Sequence, residues 1–202
     1  MSMKTLLKTA LVSALAMGVS VSAMAENIAI TGGTAFTKGG AGKVENATVL
    51  IKDGKIETVE AGLAAPAGYR VIDASGKWVT PGLMVSNSSL GLMEVALSGG
   101  MNDASVSKPK SAIALNAMDG FTADNVYIPI TRIEGVTRAA TGFGRTGSIW
   151  KGQGAVIHLG HGIVPVVKEK AFVALNLSES GAGSAGKSRA EMWAQLYAKL
   201  DE

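Results

Sequence analysis

The stretch "VIDASGKWVTPGLMVSNSSLG", residues 71–91, decides the fold. Together with Arg70, its first half has two short apolar arms around Ser75-Gly76. That pattern predicts a hairpin over "RVIDASGKWVT". At Pro81 the texture changes. "GLMVSNSSLGLMEV", which follows, reads as a buried run, and a polar, uneven stretch comes after it. A boundary between two architectures is therefore expected at about Pro81.

Upstream, residues 27–80 read as β. "IAITGG" and "TAFT" are short segments broken by Gly32 and Gly33. "ATVLIKDGKIETVEAG" predicts a strong hairpin. Asp53-Gly54 is a preferred two-residue turn, and both arms carry Val and Ile. Several short strands with glycine turns point to a small sandwich or barrel.

Downstream, residues 98–111 read as a surface loop. "NVYIPITRIEG" predicts a helix that Pro129 starts or kinks. "VTRAATGFG", "GQGAVIHLG" and "AFVALNL" predict strands. Met192, Trp193, Leu196, Tyr197 and Leu200 have helical spacing. Ser188 suits the N-cap of that helix, with Glu191 three residues later. The second half is expected to alternate β and α. "SESGAGSAGKS" between them reads as a flexible loop.

The first 25 residues have a basic start at Lys4 and Lys8, a short apolar middle and an "AMA" ending at Ala25. These are the parts of a secretory signal peptide cleaved after Ala25, so the chain is expected to be periplasmic or secreted. The apolar run falls short of the ~20 residues of a membrane span, so no membrane association is expected after cleavage. Losing Lys4 and Lys8 takes the basic residues from 19 to 17, against 16 acidic ones. A nearly balanced chain lacks the clustered basic face of a nucleic-acid binder. There is no cysteine, which excludes disulfides, thiolate nucleophiles and zinc–cysteine sites.

Residues 27–91 carry a family resemblance. Ile72, Asp73, Ala74, Gly76, Lys77, Val79, Pro81, Gly82 and Leu83 match the pattern I-D-A-x-G-K-x-V-x-P-G-L. The chain thus resembles the N-terminal part of the metal-dependent amidohydrolase superfamily, in particular imidazolonepropionase-like and dihydroorotase-like enzymes. The upstream "VLIKDGKIETVEAG" is similar to the family's first hairpin, and "GVTRAATGFGRTGSIWKGQGAVIHL" to its stretch entering the second barrel strand.

The resemblance implies an α/β chain with a composite fold. A signal peptide (1–25) would precede a small β-sandwich (26–80), followed by an incomplete (β/α) barrel (81–202). In the family, an H-x-H pair at the end of the first barrel strand binds a divalent metal, commonly zinc. The equivalent positions here are Asn87 and Ser89, and the usual preceding Asp is Val85. An amide and a hydroxyl are poor ligands for such an ion. A barrel takes ~250 residues, far more than follow Pro81. The family's later ligands are therefore expected to be missing, with no metal or other cofactor and no catalytic residue in this chain.

Other candidate residues compete with that reading. "HLGH" places His158 and His161 three apart, which in a strand puts them on opposite sides. "GFGRTG", Gly142 to Gly147, matches G-x-G-x-x-G, but no helix is expected after it. A strand-end loop needing positive φ is the simpler account. Through the resemblance this loop lies at the barrel mouth, where Arg145 would meet a substrate carboxylate. Asp73, Glu94, Asp103, Asp119, Asp124 and Glu134 are scattered without acid–base pairing. "GAGSAGKS", Gly181 to Ser188, fits the phosphate-loop pattern that includes Lys187. Trp193 and Tyr197 belong to the apolar face of a packed helix or to a docking surface.

Three functions are therefore weighed. The first is an exported, truncated or split amidohydrolase-like protein, inactive alone. Completed by a partner chain or oligomer, it would hydrolyse a non-peptide C–N bond of cyclic-amide type in a small molecule. The second is a non-enzymatic binding or accessory subunit. The third, ranked last, is a nucleotide binder.

Overall fold

The computed structural model describes residues 26–94, 100, 102–160 and 165–201. Residues 1–25, read above as a signal peptide, and His161 lie outside this set. The chain divides after Pro81 into two units.

The first unit contains β1 (Ile28–Phe36), β2 (Lys43–Lys52), β3 (Lys55–Ala61), β4 (Arg70–Asp73) and β5 (Trp78–Val79). Their order is β3-β2-β1-β4, and β5 also pairs with β1. The β2–β3 hairpin turns where expected. Asp53 and Gly54 have φ of 50° and 72°, the two positive values of a type I′ turn. Ala35, Ala47 and Val49 form the core, against Ile30, Val44, Ile51, Val59 and Val79. Among the described residues this unit has one sheet, where a sandwich needs two.

"RVIDASGKWVT" is not a hairpin. β4 and β5 both run parallel to β1, with Ile28 opposite Arg70 and Thr34 opposite Trp78. The turn between them is real, but the chain leaves it in its original direction. The Asp73 carboxylate accepts hydrogen bonds from the Ser75 backbone N–H (2.8 Å) and hydroxyl (2.6 Å). These bonds favour the ionised carboxylate and hold its pKa below the ordinary value. The Thr34 N–H then donates to the Lys77 carbonyl at 2.9 Å and returns the chain to β1.

Gly32 and Gly33 make room for this turn inside one continuous strand. A Cβ on Gly32, at φ 78°, would lie 2.6 Å from the Ser75 hydroxyl oxygen. One on Gly33 would lie 3.0 Å from the Ala74 Cβ. Gly32→Val combines a left-handed backbone with a β-branched side chain and should cost about 2 kcal/mol. A fall in the urea midpoint at unchanged slope is the expected readout.

The second unit is a four-stranded sheet of order β11-β10-β8-β6, comprising β6 (Leu83–Ser88), β8 (Val136–Thr141), β10 (Trp150–His158) and β11 (Val166–Leu175). A short parallel pair, β7 (Ser105–Val106) with β9 (Arg145–Thr146), stands beside it. β7 lies within the expected surface loop, and Ala104 just before it is buried. The helix α1 (Tyr127–Ile133) lies between β6 and β8 in the chain, with Pro129 in its first turn. The two strands are parallel, as a helical crossover requires. Ile128, Val136, Ala139, Ile157 and Leu159 form the core beneath α1.

After β8 the expected alternation stops. β10 pairs antiparallel with β8, and β11 antiparallel with β10. β10 thus occupies the edge of β8 where a further parallel strand would lie. What forms is a mixed α/β unit whose four-stranded sheet has one parallel pair, rather than a run of barrel units. β6 also differs from the buried run expected: it is the edge of the sheet, with Leu83 and Met84 more than half exposed.

Over half of the glycine- and serine-rich stretch is helical rather than a loop. Helix α2 (Glu179–Ser184) runs through "ESGAGS", and α3 (Arg189–Leu200) follows. Ala182 and Ala185 pack with Ile149, Met192 and Leu196. Ser188 caps α3 by accepting from the Glu191 N–H at 3.4 Å. Of the predicted apolar face only Met192 and Leu196 are buried; Trp193 and Tyr197 stack on each other in partial exposure. No helix among the described residues is long and apolar enough to cross a membrane.

Candidate functional site

Parallel strands gather ligand-binding groups at their carboxyl ends, where loops leave the sheet. Here those ends are Ser88 on β6 and Thr141 on β8. Side chains tie them together. The Ser88 hydroxyl donates to the Ala140 carbonyl and the Ser89 hydroxyl to the Gly142 carbonyl, each at 3.0 Å. The buried Thr141 hydroxyl donates to the Leu90 carbonyl at 2.6 Å. Thr141→Val would leave that carbonyl without its donor and should cost about 1–3 kcal/mol, read as a lower melting temperature.

Asn87 and Ser89 do not form a ligand pair. Val85 pairs with Ala139 and Ser88 with Thr141, so Ser86 and Asn87 together stand opposite Ala140. This is a β-bulge, which interrupts the alternation that would aim residues i and i+2 at one ion. Asn87 is exposed within the bulge, and Ser89 lies past the strand end with its hydroxyl engaged. The residues present therefore do not fit a divalent metal.

The hollow at the end of β6, about 290 Å³, is lined by Ser88, Ser89, Leu90, Met93, Tyr127 and Thr131. A larger cleft of about 400 Å³ includes Phe143, two residues past the end of β8. Its walls include Asp103, Ser105, Asn116 and Asp119, and its apolar surface includes Leu115 and Phe143. Asn116 is fixed between two carboxylates, with its amide N–H groups donating to Glu169 (2.8 Å) and Asp119 (3.3 Å). Asp103 and Asp119, read as unrelated acids, thus share one cleft. Their meeting depends on the antiparallel bridge of Met93 with Asn102 and the turn beginning at Asn116. No local spacing announces either. Chemically, the cleft offers hydrogen-bond acceptors over an apolar floor.

The remaining candidates stay apart. Gly142, Gly144 and Gly147 have no positive φ. Gly147 is a site of close approach instead: a Cβ there would collide with the Ser107 carbonyl. Arg145 is exposed on β9, and β10, not a helix, follows the glycines. His158 ends β10, and its Nδ1 accepts from the Gly160 N–H at 3.1 Å. Glu94 borders a smaller hollow of about 120 Å³, Asp124 is exposed, and Glu134 ends α1. The phosphate-loop match is spent on helix α2, whose Gly181 carbonyl accepts from the Ala185 N–H. Lys187, at φ 62°, belongs to the link between α2 and α3.

The solved structure of an amidohydrolase from Thermotoga maritima superposes on 86% of this chain with a TM-score of 0.67 at 23% identity. The chain therefore shares the fold of part of that amidohydrolase. The resemblance carried by residues 71–91 is thus borne out in three dimensions. The chain spans about half of that amidohydrolase, 47% of its length. A molinate hydrolase matches over 33% of this chain and 15% of its own, at 40% identity and a TM-score of 0.30. No protein-family model and no curated protein matches the sequence. Amidohydrolases are a metal-dependent family, yet among the described residues no group of three or more His, Cys, Asp or Glu could hold a metal ion.

Proposed function

We propose that this chain is an exported protein on the amidohydrolase fold that binds a small molecule and does not hydrolyse it unaided. The observation behind this reading is the carboxyl end of β6. There the bulge displaces Asn87, and the Ser89 hydroxyl is committed to the Gly142 carbonyl. Neither group can help a metal lower the pKa of a bound water, which is how such sites generate hydroxide. The cleft around Asp103, Asn116 and Asp119 is the place for the ligand. A partner chain or oligomer that brought ligand-bearing strands would turn the same scaffold to hydrolysis of a cyclic-amide C–N bond. The amino-terminal segment directs the protein out of the cytoplasm.

Metal analysis and hydrolysis assays test this together. The purified chain, incubated with zinc and dialysed, should retain far less than one ion per chain. It should not open dihydropyrimidine- or hydantoin-type rings. One tightly held zinc per chain, with turnover abolished by a chelator, would sink the reading.

A further inference from the structure

We infer that the cleft bounded by Asp103 and Asp119 takes a small organic cation, a protonated amine carried on an apolar body. This rests on that cleft being the ligand site and names what enters it. The cleft is about 400 Å³, within the size range of small-molecule sites. No Lys, Arg or His lines it. Leu115 and Phe143 supply apolar surface for the carbon body of a ligand.

The fixed hydrogen-bond donors around the cleft are already spent. The two amide hydrogens of Asn116 go to Glu169 and Asp119, and its Oδ1 accepts from the Met118 N–H at 3.2 Å. The backbone N–H groups of Asp103, Leu115 and Asp119 donate to the carbonyls of Leu92, Ala112 and Asn116. The Ser105 and Ser111 hydroxyls can turn to suit either kind of partner. What the cleft offers a ligand is carboxylate oxygen. An anion finds no fixed donor in these groups, and a neutral ligand leaves the charge answered only by water.

The carboxylates are brought together and left without a cation. Asp103 packs on Gly120, where a Cβ would lie 2.8 Å from its own Cβ, so it stands against the residue next to Asp119. Glu169 adds a third carboxylate behind Asn116. Among the described residues the ion pairs are Lys43–Glu45 and Arg70–Glu26, both in the first unit. Lys108 and Lys110 follow in the chain and Arg145 pairs with Ser105, yet none of the three lines the cleft or forms an ion pair with its acids. A cleft whose charges have one sign concentrates ligands of the other.

Amide chemical-shift titration of the purified chain is the test. Phenethylamine, phenethyl alcohol and hydrocinnamate serve as cationic, neutral and anionic probes of similar shape. Phenethylamine should move the amides of Asp103, Ser105, Leu115 and Asp119 and bind about threefold or more tighter than the alcohol, the worth of one partly exposed ion pair. Hydrocinnamate should leave them in place. Asp103→Asn and Asp119→Asn keep the shape and remove the charge, so each should weaken the amine about threefold and leave the alcohol unchanged. Both side chains are exposed, so the melting curves should match the wild type. Asp124→Asn, exposed and outside the cleft, should change nothing. Equal binding of amine and alcohol at these amides overturns the inference and leaves the cleft as a ligand site, as does amine binding that survives both cleft variants. If no probe moves these amides, the inference and the cleft fall together, while the metal and hydrolysis measurements stand on their own.

Discussion

Gly181→Ala will destabilise the second unit by about 3 kcal/mol, the upper end of overpacking costs. Gly183→Ala, two positions further along the same helix on its exposed side, will stabilise it by about 0.5–1 kcal/mol. Both glycines lie within α2, where alanine is the better helix former. Their surroundings differ. A Cβ on Gly181 would run into the backbone carbonyl of Asn176, whereas nothing lies within 4 Å of one on Gly183. The Asn176 backbone cannot step aside cheaply, because its N–H donates to the Ile149 carbonyl at 2.8 Å. Relief would have to come from α2 moving outward. That would pull Ala182 and Ala185 away from Ile149, Met192 and Leu196. Trp150 packs against this cluster, so its fluorescence should report the loss during urea unfolding.

Ile157→Ala will cost about 3–4 kcal/mol, against less than about 0.5 kcal/mol for Ile56→Ala. Ile157 is fully buried among Ile128, Val136, Ala139 and Leu159, where helix α1 meets β8 and β10. Truncation there leaves a cavity that neighbours on a sheet and a crossover helix cannot close. Ile56 is 68% exposed on β3 and loses little. Equal urea midpoints for the two variants would mean that the core of the second unit lies elsewhere.

Local chemistry made part of this fold legible. Asp53-Gly54 announces its turn because both residues tolerate positive φ, and Ser188 announces α3 because its hydroxyl can cap a helix. What failed was whatever depends on distant partners. Ser75-Gly76 marks a true turn, but the strands around it belong to β1, more than thirty residues upstream in the case of β4 and β5. "SESGAGSAGKS" has poor intrinsic helix propensity, and the packing of Ala182 and Ala185 overrides it. β6 has the composition of a covered strand, yet its composition cannot say whether the cover is in this sheet. The site followed the same rule. That Asn87 and Ser89 stand where the resemblance expects histidines can be read in the sequence, but the bulge that displaces Asn87 is a matter of register with β8. The convergence of Asp103 and Asp119 is likewise tertiary.

The mixed pairing of the second sheet also sets an order of assembly. β8, β10 and β11 lie close in sequence, with only the two-residue β9 between the first two, and pair as a meander, closing short loops. β6 must instead find β8 across the whole of the chain from Ser89 to Gly135. Closing so long a loop costs entropy before any contact rewards it. The meander is therefore the natural nucleus, and β6 docks late. Folding rates should respond strongly to Gly154, where Phe172 lies against the meander's backbone, and weakly to Met84 on the late strand.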